Sequence, residues 1–258
     1  MVEKGKRLGY SRELMKLLEQ AGRNEGMRPV NAFERFLEMA FCAIRGQTLA
    51  PNSTAWEENE ANYERCLGRL QQPEATRQLF AEALGLTALA MEERYADFLG
   101  PIWMEIGSSA QLGQFFTPHE LCKMIALMSI EDPRALMESK GRPYITCHEP
   151  AAGMGGMVLA AAEVMQEQGL DPALNCFWQM IELDYTVFKG CYVQTALAGI
   201  AGILHHGNTL TLEIRSSHFT PAGLLFMRHH RLTALPGDEP EVEVINPQRV
   251  PENEPSPA

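Results

Sequence analysis

The segment Glu149–Gly156, with the sequence Glu-Pro-Ala-Ala-Gly-Met-Gly-Gly, has residue types and a spacing that could bind a ligand. It follows a predicted strand at 144–149 and precedes a predicted helix. Its three glycines let the chain turn sharply and let a ligand approach the main chain, while Glu149 supplies an acceptor. The pattern predicts a loop for a nucleotide-like ligand, although the same spacing also fits a simple strand-to-helix turn.

The order of further motifs along the chain favours the ligand-binding loop over the simple turn. Upstream lies the hexapeptide Gly-Gln-Phe-Phe-Thr-Pro at 113–118; downstream, a predicted strand at 176–182 ends in Glu-Leu-Asp, and a third at 203–206 precedes Gly-Asn-Thr. Over about residues 106–212 this succession resembles the adenine-N6 DNA methyltransferases, in particular the modification subunits of type I restriction systems. The resemblance implies an α/β, Rossmann-like methyltransferase fold and S-adenosylmethionine as cofactor.

The resemblance also implies which residues contact the cofactor. The segment expected to close over its methionine end is Phe116, Thr117 and Pro118. The residues expected beside its amino-acid and ribose portions are Glu149, Ala151, Gly153 and Gly155. The acceptors expected for its ribose hydroxyls and its adenine amino group are Glu182 and Asn208, respectively. The family usually has Asp at the positions of Glu149 and Asn208; Glu keeps the charge on a longer arm, and Asn still offers a carbonyl oxygen.

Two of these residues have alternative interpretations. A carboxylate at the end of the second strand suits two ribose hydroxyls, but Glu182 could also be a solvated acid at a helix start beside Asp184. Thr117 could cap a helix that begins with Pro118 and carries Glu120 three residues after the cap. The two roles of Thr117 are compatible.

The catalytic tetrapeptide of the family, Asn/Asp-Pro-Pro-Tyr/Phe, is missing, because the chain contains no Pro-Pro pair. In the family it holds the target adenine's amino group and stacks on the flipped base. The nearest remnant is Asn-Pro-Gln-Arg at 246–249, after an apolar alternation at 242–245. It lacks the second proline and the aromatic ring, so the catalytic residues stay unassigned.

Chain length predicts an incomplete sheet. After the third strand roughly 50 residues remain, which is too few for the four further strands and crossover helices of a methyltransferase sheet. One more strand is predicted at 223–227, after a turn at Thr220-Pro221, and there is no room for a domain that reads DNA. Such a half sheet should expose an edge and an apolar face, so we expect a second copy or a partner subunit to cover it.

The N-terminal part is predicted to be a helical bundle. Apolar residues recur at helical spacing at 30–44, 63–70 and 79–84, and a fourth helix is predicted from about 86 to 98, ended by Gly100-Pro101. The predicted domains are a helical domain at 1–105, a Rossmann-like cofactor-binding domain at 106–235 and an acidic, proline-rich disordered tail at 236–258.

The composition limits where the protein can be located and what it can bind. No apolar run reaches the ~18 residues of a membrane span and the N-terminus lacks a secretory segment, so we predict a cytoplasmic protein. The net charge of −11 argues against autonomous DNA binding. Arg228, His229, His230 and Arg231 form the only basic cluster expected near the site.

The cysteines and histidines do not indicate a metal site. The six cysteines are predicted to be buried, reduced thiols. The adjacent residues His205 and His206 are predicted to point to opposite faces of a strand, so they cannot bind one metal ion together.

Three functions remain open from the sequence. The chain could be a DNA adenine-N6 methyltransferase whose site a partner completes. It could be a catalytically inactive relative used for binding or regulation, such as a restriction decoy of a mobile element. It could also be a helical interaction protein whose glycine loop is only a turn.

Overall fold

The computed structural model describes residues 2–107 and 116–236. Gly113, Gln114 and Phe115 of the hexapeptide, the 246–249 remnant and almost all of the predicted tail lie outside these ranges. The N-terminal part is helical, as predicted. Its helices are α1 (Val2–Glu25), α2 (Pro29–Gly46), α3 (Thr54–Leu67), α4 (Pro73–Glu93) and α5 (Leu99–Ile106).

The second part alternates strands and helices. Its elements are α6 (His119–Ser129), α7 (Pro133–Ser139), β1 (Ile145–Glu149), α8 (Gly156–Glu167), α9 (Pro172–Asn175), β2 (Cys176–Glu182), α10 (Tyr185–Leu197), β3 (Gly202–Asn208), β4 (Glu213–Phe219) and α11 (Pro221–His229). The predicted α/β class, with an incomplete sheet after a helical bundle, is confirmed. None of the described helices is long and apolar enough to cross a membrane.

The four strands form one sheet in the order β1-β2-β3-β4. The first three strands are parallel and correspond to the three predicted strands, while β4 pairs antiparallel with β3. Because β1 is an outer strand and no described residue pairs with its far side, the sheet has the open edge that the sequence predicted.

One hydrophobic core joins the helical part to the sheet. Cys176, Trp178 and Met180 of β2 face a cluster that includes residues of α2, α4, α8 and α10. Phe41 of α2 packs on Tyr192 of α10 with ring centroids 4.9 Å apart. The helices of the N-terminal part therefore support the helices that follow the strands. The predicted boundary at residue 105 stays a prediction.

The predicted helix at 86–98 is wrong. Residues 73–93 form one helix, because Gly85 lies within it with open space around it and a glycine in a helix interior only weakens the helix. The chain becomes extended at Arg94. Gly100 and Pro101 begin α5 instead of ending a helix, since proline is tolerated in a first turn.

The predicted strand at 223–227 is also wrong, because these residues belong to α11. Thr220 caps that helix by accepting a hydrogen bond from the Gly223 amide at 2.9 Å, and Pro221 occupies its first position. The fourth strand comes instead from the more polar segment Glu213–Phe219.

Candidate cofactor-binding site

The glycine loop leaves the end of β1 in a tight turn. Gly153 and Gly155 have φ values of +55° and +94°, in the left-handed region that favours glycine. The Gly155 amide donates to the Ala152 carbonyl at 2.8 Å, and the Ala152 amide donates to the Ile181 carbonyl at the end of β2 at 2.9 Å. The loop is therefore fixed in shape and attached to the neighbouring strand.

Met154 anchors the loop in the core. Its side chain is fully buried and fills the space above Gly190 of α10, where an added Cβ would lie 2.1 Å from the Met154 sulfur. Its carbonyl accepts a hydrogen bond from Gln194 Nε2 at 2.6 Å. Both contacts come from α10, so the helix after β2 positions the loop after β1.

Glu182 joins the end of β2 to the glycine loop. Its Oε2 accepts from the Gly153 amide and its Oε1 from the Asp184 amide, each at 2.8 Å. Asp184, rather than Glu182, caps α10, because its Oδ1 accepts from Thr186 and Val187. Each Glu182 oxygen keeps a second lone pair for a hydroxyl donor. The interpretation of Glu182 as a helix-start acid is therefore not supported.

A cavity of about 460 Å³ opens beside the loop, within the range of about 300–1,000 Å³ typical of small-molecule sites. The predicted residues that line it are Phe116, Thr117, Glu149, Ala151, Gly153 and Glu182. The other lining residues are Asp97, Cys122, Ala152, Met154, Gly156, Met157 and Val187. The structure thus brings six of the nine predicted cofactor residues to one cavity.

Phe116 and Thr117 enter this cavity from the segment before α6. A Cβ added to Gly153 would lie 3.4 Å from Phe116 Cδ1 and Cε1, so the ring lies directly against the loop. The predicted capping role of Thr117 is wrong, because α6 begins at His119 after Pro118 and has no side-chain cap. The Thr117 carbonyl accepts from Cys122 Sγ at 3.5 Å, and the residue is exposed.

Pro118, Gly155 and Asn208 do not line the cavity. Pro118 is the residue before α6. A Cβ on Gly155 would lie 3.3 Å from Thr195 Cγ2, so Gly155 is needed for packing against α10. Asn208 Oδ1 accepts from the Leu210 amide at 2.9 Å and stabilises the turn after β3. The predicted contact of Asn208 with the adenine amino group stays untested.

The cavity fits an adenosyl ligand in its chemistry. Glu182 offers acceptors for vicinal hydroxyls, and Gly153 leaves room for a ligand where a side chain would fill the space next to Phe116. Phe116 presents a ring that can pack on an apolar part of the ligand.

Residues 98–221 match the model of the N-6 DNA methylase family, which is just under half of the chain. This segment is therefore similar to that family. The matched residues contain the glycine loop, Glu182 and Phe116, and S-adenosylmethionine is the cofactor that the family implies.

A comparison with curated proteins gave no match. Among solved structures, the chain is similar to a Listeria monocytogenes protein described as a class I S-adenosylmethionine-dependent methyltransferase, with 16% sequence identity and a TM-score of 0.38. The similarity covers 78% of this chain and 54% of that one, so the chain spans about half the length of this neighbour. The similarity to the family therefore rests on the sequence match.

Two residues at the glycine-loop cavity were missed by sequence reasoning. Asp97, in the loop between α4 and α5, lines the cavity, and burial raises the pKa of its carboxyl although hydrogen bonds from Gln194 and Gly100 act in the opposite direction. Gln194 is fully buried; its Oε1 accepts from the Phe98 and Leu99 amides, while its Nε2 donates to Asp97 Oδ1 and to the loop. A polar side chain in the apolar stretch of α10 was the available signal.

A charged cluster surrounds Glu163 on α8, the helix that follows the glycine loop. Glu163 contacts Arg94, His119 and Lys123 at 2.5, 2.9 and 3.3 Å. Burial opposes ionisation of Glu163, but the hydrogen bonds from Arg94 and His119 outweigh it and hold the pKa of that carboxyl at about 2. The cluster ties α4, α6 and α8 together and borders a second cavity of about 710 Å³.

A third cavity, of about 690 Å³, lies beside the end of α4 and Leu197. Although it is larger than the cavity beside the glycine loop, it contains none of the predicted cofactor residues. We therefore place the site at the glycine loop.

The predicted basic cluster lies at the wrong end of the sheet for this site. His230 packs on Tyr144 with ring centroids 4.7 Å apart and reaches the Leu174 carbonyl, which places it near the beginnings of β1 and β2. The glycine loop lies at the ends of those strands. Arg228 and Arg231 therefore do not flank the cavity beside the glycine loop. Within the described ranges, His, Cys, Asp and Glu side chains form no group of three that could hold a metal.

The cysteines behave as core residues. The structure gives all six as free thiols, five of them buried and Cys147 half-buried. Burial raises the pKa of the Cys42 thiol to about 12, so this side chain stays protonated and unreactive near neutral pH.

Proposed function

We propose that this chain binds S-adenosylmethionine at the glycine loop and serves DNA adenine-N6 methylation when a partner completes the site. The observation that carries the proposal is the single cavity lined by Gly153, Glu182 and Phe116. These residues come from three separate segments of the matched region. If the glycine loop were only a turn, Glu182 and Phe116 would not have to lie beside it.

The roles proposed for the chain's own residues follow from their contacts. Glu182 accepts from the ribose hydroxyls through its free lone pairs while the Gly153 amide holds it in place. Phe116 covers the thioether region of the ligand. S-Adenosylmethionine supplies an electrophilic methyl group; the chain's residues bind and orient it and exclude water.

Completion by a partner is supported by the open edge of β1. The outer side of a parallel strand presents unpaired backbone groups that another strand can satisfy. A second copy of this chain would bring no catalytic tetrapeptide, since the sequence has no Pro-Pro pair. We therefore propose that catalysis needs a different polypeptide segment, which supplies further strands and the groups that hold the target adenine.

An exposed apolar stripe on α6 fits the same partner. Leu121, Met124, Ile125 and Met128 recur on α6 at spacings of three and four residues, and Met128 is 76% exposed. Apolar residues at this spacing normally face a core. Because α6 packs on α8, the stripe lies on the outer surface of the cofactor-binding half.

Two measurements test the proposal. Titration calorimetry with S-adenosylmethionine tests the cavity, and transfer of a tritiated methyl group to unmethylated DNA tests catalysis. We expect binding by the chain alone without transfer. Failure to bind would reject the cofactor role, and transfer by the isolated chain would reject the need for a partner.

The second candidate function is an inactive methylase relative that retains the cofactor fold for binding or regulation. The missing catalytic tetrapeptide favours it. One experiment distinguishes the two candidates. A partner that supplies further strands and the catalytic tetrapeptide is added to the chain. Methyl transfer should then appear if the first candidate is correct, but not if the chain is an inactive relative.

A further inference from the structure

Asp97 stands between two cavities, and the family match at 98–221 begins one residue after it. One cavity is the proposed cofactor site, and the other borders the cluster around Glu163. A Cβ added to Gly156, at the start of α8, would lie 3.8 Å from Asp97 Oδ2. Asp97 therefore faces the glycine loop at its Gly156 end, whereas Glu182 binds its Gly153 end.

The loop that carries Asp97 is held in one conformation by Arg7. The Arg7 guanidinium donates to the carbonyls of Ala90, Arg94 and Ala96 at 2.8 to 2.9 Å. Because its hydrogen bonds go to main-chain carbonyls, Arg7 orders the backbone before α5. The aspartate is thus placed before any ligand arrives.

The two Asp97 oxygens differ in their surroundings. Oδ1 accepts from Gln194 Nε2 at 2.9 Å and from the Gly100 amide at 2.8 Å. Oδ2 receives no side-chain or backbone donor among the described contacts. Oδ1 is therefore fixed by two donors. Oδ2 lies against Gly100, where an added Cβ would be 2.0 Å away, and 3.8 Å from the position of a Cβ added to Gly156.

No cation forms an ion pair with this carboxylate within the described residues, because the lysine, arginine and histidine side chains that form ion pairs do so with other acids. Arg7 donates to the Asp97 main-chain carbonyl at 3.4 Å, and the charges of Arg7 and His119 act on the carboxylate from beyond ion-pair distance. Burial raises the pKa of the Asp97 carboxyl, as expected for a desolvated acid with no ion pair. A ligand that brings a cation would offset that desolvation.

We propose that Asp97 binds the α-ammonium group at the amino-acid end of the S-adenosyl ligand. The proposal rests on the proposed function and assigns a cation subsite within it. Three carboxylates line the cavity. Glu182 already accepts two amide hydrogen bonds and suits neutral hydroxyls, and Glu149 accepts from the Ala151 amide at 3.1 Å in an exposed contact at the start of the loop. Asp97, which has no ion pair, suits the cation. Phe116 and Thr117 line the same cavity.

The test compares two ligands that differ in the amino-acid end. S-Adenosylhomocysteine carries the α-ammonium group, whereas 5′-methylthioadenosine has the same nucleoside and thioether without it. Calorimetry with the full chain measures both dissociation constants. We expect wild type to bind S-adenosylhomocysteine more tightly, and Asp97→Asn to weaken that ligand by roughly 10- to 100-fold while changing 5′-methylthioadenosine by less than about 3-fold.

Asp97→Asn keeps an oxygen that accepts from Gln194 and Gly100, so its thermal unfolding midpoint without ligand should match wild type. Glu167→Gln is the control for a distant change of charge, because Glu167 lines only the second cavity; it should leave both affinities unchanged. Equal weakening of both ligands by Asp97→Asn, or no weakening of either, would overturn the assignment. If wild type binds both ligands equally, the nucleoside site stands and the ammonium subsite fails. If it binds neither, the proposed function fails with it.

Discussion

The Glu182 carboxylate and the Gly153 amide are joined by a 2.8 Å hydrogen bond across the ends of β2 and β1. The acid expected to accept the ribose hydroxyls is therefore also a structural part of the glycine loop. It carries a second amide hydrogen bond from Asp184, so its orientation is set by the fold before a ligand binds.

Replacement of Glu182 by Ala should weaken nucleoside binding and loosen the loop. We expect affinity for S-adenosylhomocysteine and for 5′-methylthioadenosine to fall together by more than about 10-fold, and the free energy of unfolding to fall by about 1–2 kcal/mol. Calorimetry and urea unfolding measure the two effects. Glu213→Ala, at an exposed carboxylate on β4, is the control. Unchanged affinity for both ligands would contradict the ribose role.

Substitutions at the loop glycines should separate backbone strain from packing. Gly153→Ala places a side chain at φ +55° beside Phe116 and should cost about 1–2 kcal/mol of unfolding free energy. Gly155→Ala adds close contact with Thr195 to a φ of +94° and should cost more. Gly85→Ala, in open space within α4, should instead stabilise the protein by about 0.5–1 kcal/mol. Chemical denaturation compares all three; equal effects at Gly85 and Gly153 would show that the loop geometry is not constrained.

The local parts of the site could be predicted from the sequence. A buried strand, a glycine-rich turn and a helix are neighbours in the chain, so 144–156 is readable from short-range patterns, and the acid that follows the second strand lies at the same edge of a parallel sheet. Phe116 was reached only through the family resemblance, since nothing in its local pattern indicates a ligand.

The features that were predicted wrongly or missed depend on contacts between residues far apart in the chain. Asp97 and Gln194 are 97 residues apart, and their hydrogen bond has no sequence pattern. The strand Glu213–Phe219 is half-exposed and polar, so it has no apolar run to reveal it, whereas the apolar residues at 223–227 resemble a strand but follow a Thr-Pro helix start. The basic cluster at 228–231 was misplaced because the chain reverses direction along β4.

Glu163 should contribute stability that depends on pH. Because its folded pKa of about 2 lies below its usual 4.5, the contribution is present above pH 4.5 and is lost as the pH falls from 4.5 toward 2. Glu163→Gln should lower the free energy of unfolding by about 2 kcal/mol at pH 7, with a smaller difference from wild type at pH 3. Urea unfolding at the two pH values measures this. Glu167→Gln is the matched control, since Glu167 is exposed and, within the described residues, forms an ion pair only with Lys123; it should change stability by less than about 0.5 kcal/mol. A difference for Glu163→Gln that stays constant with pH would contradict the assignment.

His218 should make the protein sensitive to mild acid in a separate pH range. It lies on β4 against Phe41 of α2, with ring centroids 5.3 Å apart, where the helical part meets the sheet. Burial, followed by the positive charges of Arg45, His205 and His206, lowers the pKa of His218 from 6.5 to about 4. Because the pKa of His218 is lower in the folded than in the unfolded chain, the unfolded chain takes up the proton first as the pH falls. The free energy of unfolding is therefore not reduced by this group above pH 6.5, and it decreases as the pH drops from 6.5 toward 4.

We expect wild type to lose about 1–3 kcal/mol of unfolding free energy through this group between pH 7 and pH 4.5. His218→Gln, which cannot take up the proton, should be less stable at pH 7 through lost packing but should lose less stability between those pH values. His229→Gln, at an exposed histidine at the end of α11, should retain the wild-type pH dependence. Urea unfolding at pH 7, 6, 5 and 4.5 distinguishes the two variants, because the range lies above the one assigned to Glu163. If the free energy of unfolding depends on pH in the same way for wild type and His218→Gln, the assignment of this pH dependence to His218 is wrong.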